Sequence, residues 1–258
     1  MAGTFDPYYI KVDNKVLGDY ACMIEEVRGT RVLAPRRGRR PSAAYRHGTV
    51  ANTPLYFGEK TLTLAISVFD TDDSHEQNHP AGPTGHLQHN TDDLWAIFGK
   101  RGLIDFRQLM PTEGGGTVEL QGYCEVRRQV EVENFGGAWR MIVELVFPYP
   151  FLHELPKITR PAATSHSFTT GGTAPIADMV FTFSGAGKVT WGSWELGVKE
   201  AATVDVGKRE VYVSNQLKMS ALDTSLNMME NWMEWPAKTA ISLSSTVAVG
   251  VEYYNARH

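Results

Sequence analysis

The stretch from Thr117 to Pro150 constrains the fold of this chain more than any other. Up to Glu133, apolar and polar residues alternate, which is the period of a strand with one buried face. The apolar positions are Val118, Leu120, Cys124, Val126, Val130 and Val132. Residues 134–137, Asn-Phe-Gly-Gly, then favour a turn, because glycine adopts positive φ at no steric cost. The sequence therefore predicts a long β-hairpin over about 117–147.

The predicted return strand is apolar on both faces. One face carries Trp139, Met141, Val143, Leu145 and Phe147, and the other carries Ile142 and Val146. Both strands are roughly twice the usual length. We therefore expect the hairpin to extend beyond its own domain and to be covered by another subunit.

Composition limits the class of protein. A chain of 258 residues with 42% hydrophobic residues forms one large domain or two ordinary ones. The net charge of −4 predicts no general attraction to nucleic acid or to a membrane. No apolar run approaches the ~20 residues that span a bilayer, and the N-terminus does not resemble an export signal. Cys22 and Cys124 are expected to be buried thiols of a protein made in a reducing cytoplasm.

One helix is predicted, over about 91–101. Thr91 is the expected N-cap, with Asp92 and Asp93 at the positive end of the helix dipole and Gly102 after its C-terminus. An apolar stripe would pack on the sheet, and it comprises Leu94, Ile97 and Phe98. The flanking segments read as strands, so the class is mainly β.

Seven arginines lie between Arg28 and His47, in a segment broken by Pro35, Gly38 and Pro41. Three roles remain open for it: contact with a phosphate backbone, a solvated loop, or pairing with carboxylates of a neighbouring subunit. The candidate interface residues are Arg36, Arg37, Arg39, Arg40, Glu131, Glu133, Ile142 and Val146.

Histidines and aspartates crowd the segment from Asp70 to Asn90. It lacks the glycine and the distal glutamate of a calcium loop, and its histidine spacing matches no zinc motif. We expect an exposed loop, with no metal site and no cofactor. No Gly-x-Ser-x-Gly elbow or Cys–His pair at a known spacing is present, so the chain is predicted not to be an enzyme.

Residues 156–172 are rich in proline, alanine, threonine and glycine, which predicts a boundary between a domain at 1–155 and one at 156–258. Short strands alternate with turns beyond it, as in an antiparallel β-sandwich. Four tryptophans fall there, Trp191, Trp194, Trp232 and Trp235. They can stack on sugar rings, anchor an interface or fill a core. Trp232 and Trp235, beside Pro236, are expected at the surface.

Residues 86–102, His-Leu-Gln-His-Asn-Thr-Asp-Asp-Leu-Trp-Ala-Ile-Phe-Gly-Lys-Arg-Gly, precede the long hairpin. Residues 204–212, Val-Asp-Val-Gly-Lys-Arg-Glu-Val-Tyr, and 249–254, Val-Gly-Val-Glu-Tyr-Tyr, lie in the second domain. In this order the chain resembles the distal tail protein of long-tailed, siphovirus-type bacteriophages. The resemblance implies an N-terminal ring-forming β-domain with one helix and a long β-hairpin, followed by a C-terminal galectin-like β-sandwich.

The resemblance also implies a function. It predicts a structural protein of the virion, made in the bacterial host cytoplasm, that forms a homo-oligomeric, commonly hexameric, baseplate ring. That ring would join the tail tube protein to the tail-tip hub protein and to receptor-binding proteins, without specific nucleic-acid binding. A head-to-tail ring would also satisfy strand edges that are costly in a monomer. Two alternatives are a carbohydrate-binding module that recognises host glycans through its tryptophans and a hydrolase of cell-wall polymer.

Overall fold

A computed structural model describes residues 9–30, 33, 36–37, 56–70, 85–112, 115–135, 138–223 and 234–258. The chain divides into two compact units, Met1–Leu152 together with His258, and His153–Arg257. The sequence placed its boundary between residues 155 and 156. The fold is mainly β, and α1 is the one α-helix among the described residues.

The first unit is built on one antiparallel sheet. Its elements in chain order are β1 (Ile10–Val12), β2 (Lys15–Val16), β3 (Cys22–Arg28), β4 (Arg36–Arg37), β5 (Tyr56–Phe57), β6 (Lys60–Phe69), α1 (Gly85–Phe98), β7 (Ile104–Pro111), β8 (Thr117–Phe135) and β9 (Ala138–Phe147). The strand order is β2-β1-β7-β8-β9-β6-β3, and β4 pairs with β5 separately. The long hairpin predicted from the sequence is therefore present as β8 and β9.

The hairpin does not project as a free ribbon, which corrects our expectation. Residues 117–124 of β8 pair with β7, and the strand pairs with β9 from Glu125 onward. The whole of β9 pairs on its other side with β6, from Lys60↔Phe147 to Phe69↔Ala138. Its two apolar faces thus belong to a central strand of the sheet, where both edges are satisfied within the chain.

A β-bulge changes the faces of β8. The register runs from Val126↔Leu145 to Arg128↔Glu144, so Arg127 is the extra residue. Because directly paired residues share a face, Val130, which pairs with Ile142, lies opposite to the face of Val126. The sequence prediction that both valines share one face is wrong at this point.

Helix α1 begins at Gly85, six residues earlier than predicted. The carboxylate of Asp70 accepts a hydrogen bond from the Leu87 N–H at 3.1 Å and so satisfies a donor of the first turn. Thr91 is not an N-cap. It lies within the helix, 2% exposed, and its hydroxyl donates to the Leu87 carbonyl oxygen at 2.7 Å.

The core of the first unit lies between α1 and one face of the sheet. Leu94, Ile97 and Phe98 are each at most 1% exposed, as the predicted stripe requires, and they join Leu64 and Ile66 in one apolar cluster. Burial of each such side chain contributes about 1.5–3 kcal/mol. The helix therefore marks the inner face of the sheet and leaves the other face without it.

The second unit is built mainly on one antiparallel sheet. Its strands are β10 (Leu152–Leu155), β11 (Ile158–Thr169), β12 (Val180–Phe183), β13 (Gly187–Trp191), β14 (Trp194–Val198), β15 (Ala202–Asp205), β16 (Glu210–Val213), β17 (Gln216–Leu217), β18 (Ala240–Tyr253) and β19 (Ala256–Arg257). The main order is β14-β13-β18-β12-β15-β16-β17, β11 pairs with β18, and β10 pairs with β19. Long β18 therefore organises this unit.

Candidate functional site

The sheet of the first unit presents a face turned away from the core, which we call the open face. It is defined by side chains of β3, β6 and β9 that alternate with the buried ones: Glu26, Arg28, Thr63, Ala65, Arg140, Ile142, Glu144 and Val146. Ile142 is half-buried, and Val146 is only 6% exposed. These two predicted interface residues therefore lie on the same face of β9, four residues apart.

A groove of about 240 Å³ crosses the open face. Its floor includes Ala65 and Ile142, and its walls include Arg28, Arg140 and Glu26. An apolar floor between charged walls suits a partner side chain with an apolar body and a polar end. Ile142 thus lines one concave surface of the first unit, and Glu131 lines another, a cavity of about 200 Å³ beside Trp139 and Met141.

Ion pairs cover the open face. Arg140 lies 2.8 Å from Glu25, and Arg28 lies 2.7 Å from Glu26. The hydrogen bond from Arg28 lowers the pKa of Glu26 below its ordinary value. These arginines therefore already have carboxylate partners in their own chain, and exposed pairs of this kind contribute little to stability.

Arg127, the residue of the bulge, adds a further pair of contacts. Its guanidinium lies 2.8 Å from Glu59 and 3.5 Å from Glu144. The bulge thus places a cation over the junction of β6, β8 and β9, and the sequence pattern of β8 gave no sign of it.

The structure places the other predicted interface residues unequally. Arg36 and Arg37 form β4, which pairs with Phe57 and Tyr56 of β5. Glu131 is exposed and pairs in register with Met141, whereas Glu133 pairs in register with Arg140. Arg39, Arg40 and the side chain of Glu133 lie outside the described residues. The pairing of this arginine segment with acidic strands stays a prediction.

The prediction of a surface position is wrong for Trp235. Its side chain is 0% exposed, and its ring lies 5.3 Å from Phe168, 6.0 Å from Phe181 and 5.5 Å from Tyr253. It fills the core of the second unit and offers no face to a sugar. Trp232 lies outside the described residues.

Trp191 and Trp194 form a directly paired, half-buried couple at the end of the β13–β14 hairpin. Trp194 packs 6.1 Å from Phe181, measured between ring centroids. The two rings lie at the rim of the core, and their partial burial explains why tryptophan occurs at both positions without a bound ligand.

A buried lysine was missed in the sequence. Lys60 is 2% exposed and donates from Nζ to the Thr30 carbonyl oxygen at 2.8 Å. Burial lowers its pKa to about 8. The signal was available, because Lys60 is in phase with Leu62 and Leu64, whose side chains are buried. Burial, and next the charge of Lys60, also lowers the pKa of His258.

The C-terminal end of the histidine-rich segment is helical. His86 and His89 lie in α1, and His89 Nε2 lies 3.3 Å from the carboxylate of Asp93 one turn later. Residues 71–84, where the remaining histidines lie, are outside the described residues. Within the described part of the chain, no three His, Cys, Asp or Glu side chains converge as a metal site would require. No described helix has the length and apolar character needed to cross a bilayer.

Comparison with solved structures gives an informative result. The chain is similar to a crystal structure described as SPP1 Dit (gp 19.1) protein, a paradigm of the hub adsorption apparatus in Gram-positive infecting phages. The TM-score is 0.69 at 17% identity, and the match covers 96% of this chain and 98% of that chain. The predicted resemblance to distal tail proteins is therefore confirmed at the level of the fold. No protein-family model and no curated protein sequence matches the chain.

Proposed function

We propose that this chain is a structural protein of a bacteriophage tail tip, an adaptor between the tail tube and the hub. The observation that carries the proposal is the likeness to SPP1 Dit, which extends over both units and leaves almost nothing of either chain unmatched. A likeness at 17% identity concerns the fold, so the role is inferred from what that protein's description states.

The proposed adaptor acts as a ring of identical copies, with six as the expected number. The strand order of the first unit's sheet ends in β2 on one side and in β3 on the other. Among the described residues, both end strands leave an edge that further strands can extend. A cyclic head-to-tail assembly joins one such surface to a different one on the next copy and so closes without unpaired ends.

The candidate subunit contacts follow from this arrangement. The open face contributes Ile142 and Val146, and the β8–β9 hairpin contributes Glu131 and Glu133 near its turn. The arginine segment contributes Arg36, Arg37, Arg39 and Arg40, which would form ion pairs with carboxylates of a neighbouring copy. A permanent interface of this kind often buries 2,000 Å² or more, which is why contacts are expected on several elements.

The proposed partners are the tail tube protein, the tail-tip hub protein and receptor-binding proteins, with the chain located in the virion. The work is done by surfaces and needs no catalysis. The carbohydrate-binding alternative depended on exposed tryptophans of the second unit. Burial of Trp235 removes one of the two residues on which it mainly rested.

Mass photometry of the purified protein at micromolar concentration tests the ring. We expect a dominant particle of several copies of the 28.7 kDa chain. The variant Ile142→Arg should shift particles toward the monomer, because it places a charge on the apolar floor of the groove, whereas Thr190→Arg in the second unit serves as a control. Strictly monomeric wild-type protein would contradict the ring.

A further inference from the structure

Among the strands that the structure describes, β11 pairs only with β18, so it is an edge strand of the second unit's sheet. It has 12 residues, about twice the usual strand length. Its first half is interrupted by Pro161 and by two register shifts between Arg160 and Ser165. Prolines and bulges are the usual devices that prevent an edge from pairing with another chain. From Ser165 to Thr169, in contrast, the register is unbroken.

The direction of the backbone groups in this second half follows from one hydrogen bond. Thr170 donates its N–H to the Thr239 carbonyl oxygen at 2.9 Å. Hydrogen-bonded and non-hydrogen-bonded pairs alternate along an antiparallel ladder. Pairs in phase with Thr170, such as Phe168↔Ile241, are therefore hydrogen-bonded to β18. The residues between them turn both N–H and C=O away from β18: Ser165, Ser167 and Thr169.

The side chains leave this edge open. Ser165, Ser167 and Thr169 are exposed, small and uncharged. Phe168, 8% exposed, lies on the opposite, core-facing side. No lysine, arginine, aspartate or glutamate occurs between Pro161 and Thr169. The charged residues that commonly protect an edge are thus absent from this stretch of sequence.

We propose that the Ser165–Thr169 edge of β11 docks an extended strand of a different polypeptide, which joins the sheet through backbone hydrogen bonds. The partner class rests on the proposed function: it is another protein of the same tail tip. Three outward N–H and three outward C=O groups fit a partner strand of about five residues. Partner residues on the exposed side meet hydroxyl groups, and those on the core side lie beside Phe168, so the strand should alternate small polar and apolar residues.

A different polypeptide is favoured over the β11 edge of a second copy by symmetry. Pairing of two identical β11 edges requires a two-fold axis between the two copies. Neighbours in one cyclic head-to-tail ring are related by a rotation that brings different surfaces together. The β11 edges of a single ring therefore do not meet each other and stay available to another protein.

Hydrogen–deuterium exchange tests the docked strand. The probe is the wild-type chain itself, measured once as purified protein and once in purified virions. In the purified protein, the amides of Ser165, Ser167 and Thr169 should exchange fast. In virions the peptide spanning residues 164–170 should take up about three fewer deuterons, because three outward amides gain acceptors.

Two variants connect this protection with docking. Ser167→Lys places a charge at the edge, and Ser167→Pro removes an N–H that makes no bond to β18. Both should keep the melting temperature of the purified protein while lowering incorporation of the partner into virions by about tenfold or more. Ser242→Lys, at the exposed position paired with Ser167 but on the inner strand, is the matched control and should incorporate normally.

The outcomes separate the docking edge from the proposed function. Equal uptake in purified protein and in virions overturns the docking edge and leaves the tail-tip role intact. Protection that already appears when purified wild-type protein is concentrated, and that Ser167→Lys removes, assigns the edge to a second copy and overturns the partner proposed here. Absence of the chain from virions overturns the tail-tip role itself.

Discussion

Lys60 donates a hydrogen bond from Nζ to the carbonyl oxygen of Thr30, across 2.8 Å and with its side chain almost wholly removed from water. This contact ties the first residue of β6 to Thr30, two residues after the end of β3. The acceptor that the described residues supply is a neutral carbonyl oxygen, so burial costs free energy whenever Lys60 is protonated.

That cost predicts a specific pH dependence. Burial lowers the pKa of Lys60 from 10.5 to about 8. Between these values the unfolded chain binds more protons than the folded one, so the Lys60 contribution to the free energy of unfolding rises with pH. The penalty is fully present below pH 8 and amounts to at most about 3 kcal/mol.

Urea unfolding of wild type and Lys60→Met, at pH 7.5 and at pH 10.5, measures this contribution. The stability of wild type relative to the variant should improve by up to about 3 kcal/mol as the pH rises. Lys199→Met, at an exposed lysine, should show no such relative change. A wild-type-to-Lys60→Met difference that is the same at both pH values would contradict the account.

The core position of Trp235 predicts a large loss of stability on truncation. Trp235→Ala removes a ring with three aromatic neighbours and should cost about 3–5 kcal/mol in the free energy of unfolding. Trp191→Ala, at a half-buried ring, should cost clearly less. If Trp235→Ala does not fold, Trp235→Phe provides a measurable intermediate. Equal losses at positions 191 and 235 would show that Trp235 is not the core residue described here.

Two glycines with positive φ allow the cost of backbone strain to be distinguished from the cost of a steric clash. Gly172 has φ +74, and a Cβ there would lie 2.1 Å from the Ala256 carbonyl oxygen. Gly192 has φ +58, with nothing within 4 Å of the same atom. Both alanine variants should lose about 1 kcal/mol from backbone strain. Thermal unfolding should show a further loss for Gly172→Ala alone, and equal melting temperatures would contradict the close approach.

Thiol labelling tests the burial of Cys124. Burial raises the pKa of its thiol to about 12, with smaller contributions from the charges of Asp13 and Asp105. Since the thiolate is the reactive form, a thiol reagent at pH 8 should label at most Cys22 in the folded protein. Both cysteines should react after denaturation in guanidinium. Rapid native labelling that persists in Cys22→Ser would place Cys124 in contact with solvent.

The elements predicted best from sequence are those in which a local hydrophobic period extends over many residues. The alternation of β8, the turn and the return strand β9 predicted the hairpin, and the stripe of Leu94, Ile97 and Phe98 predicted the inner side of α1. In each case the local period reports directly which side chains leave water. The class, mainly β with one helix, followed from these elements.

The features that escaped prediction depend on residues far apart in the chain. The first turn of α1 is capped by Asp70, which lies 17 residues before Leu87, so the local pattern pointed to Thr91 instead. The bulge at Arg127 reverses the faces of β8, although the sequence continues to alternate. The burial of Trp235 depends on Phe168 and Tyr253, which belong to other strands. Local composition does not specify such long-range partners.

The proposed interface could be predicted only as residue types, not as an assembled surface. Ile142 and Val146 appear in the sequence as extra apolar weight on one strand. Their place beside the charge pairs of Arg28 and Arg140 required the register of β3, β6 and β9. The outward direction of the backbone groups at Ser165–Thr169 follows from which residue pairs of β11 and β18 are hydrogen-bonded. The hydrophobic period of the sequence does not carry that information.

The central claim, that this chain is a structural protein of a tail tip, is tested most directly by immunogold electron microscopy of purified virions with an antibody against the second unit. We expect gold at the distal end of the tail, on every intact particle. Virions free of label at the tail tip, in a preparation in which the same antibody detects the purified chain, would contradict the claim.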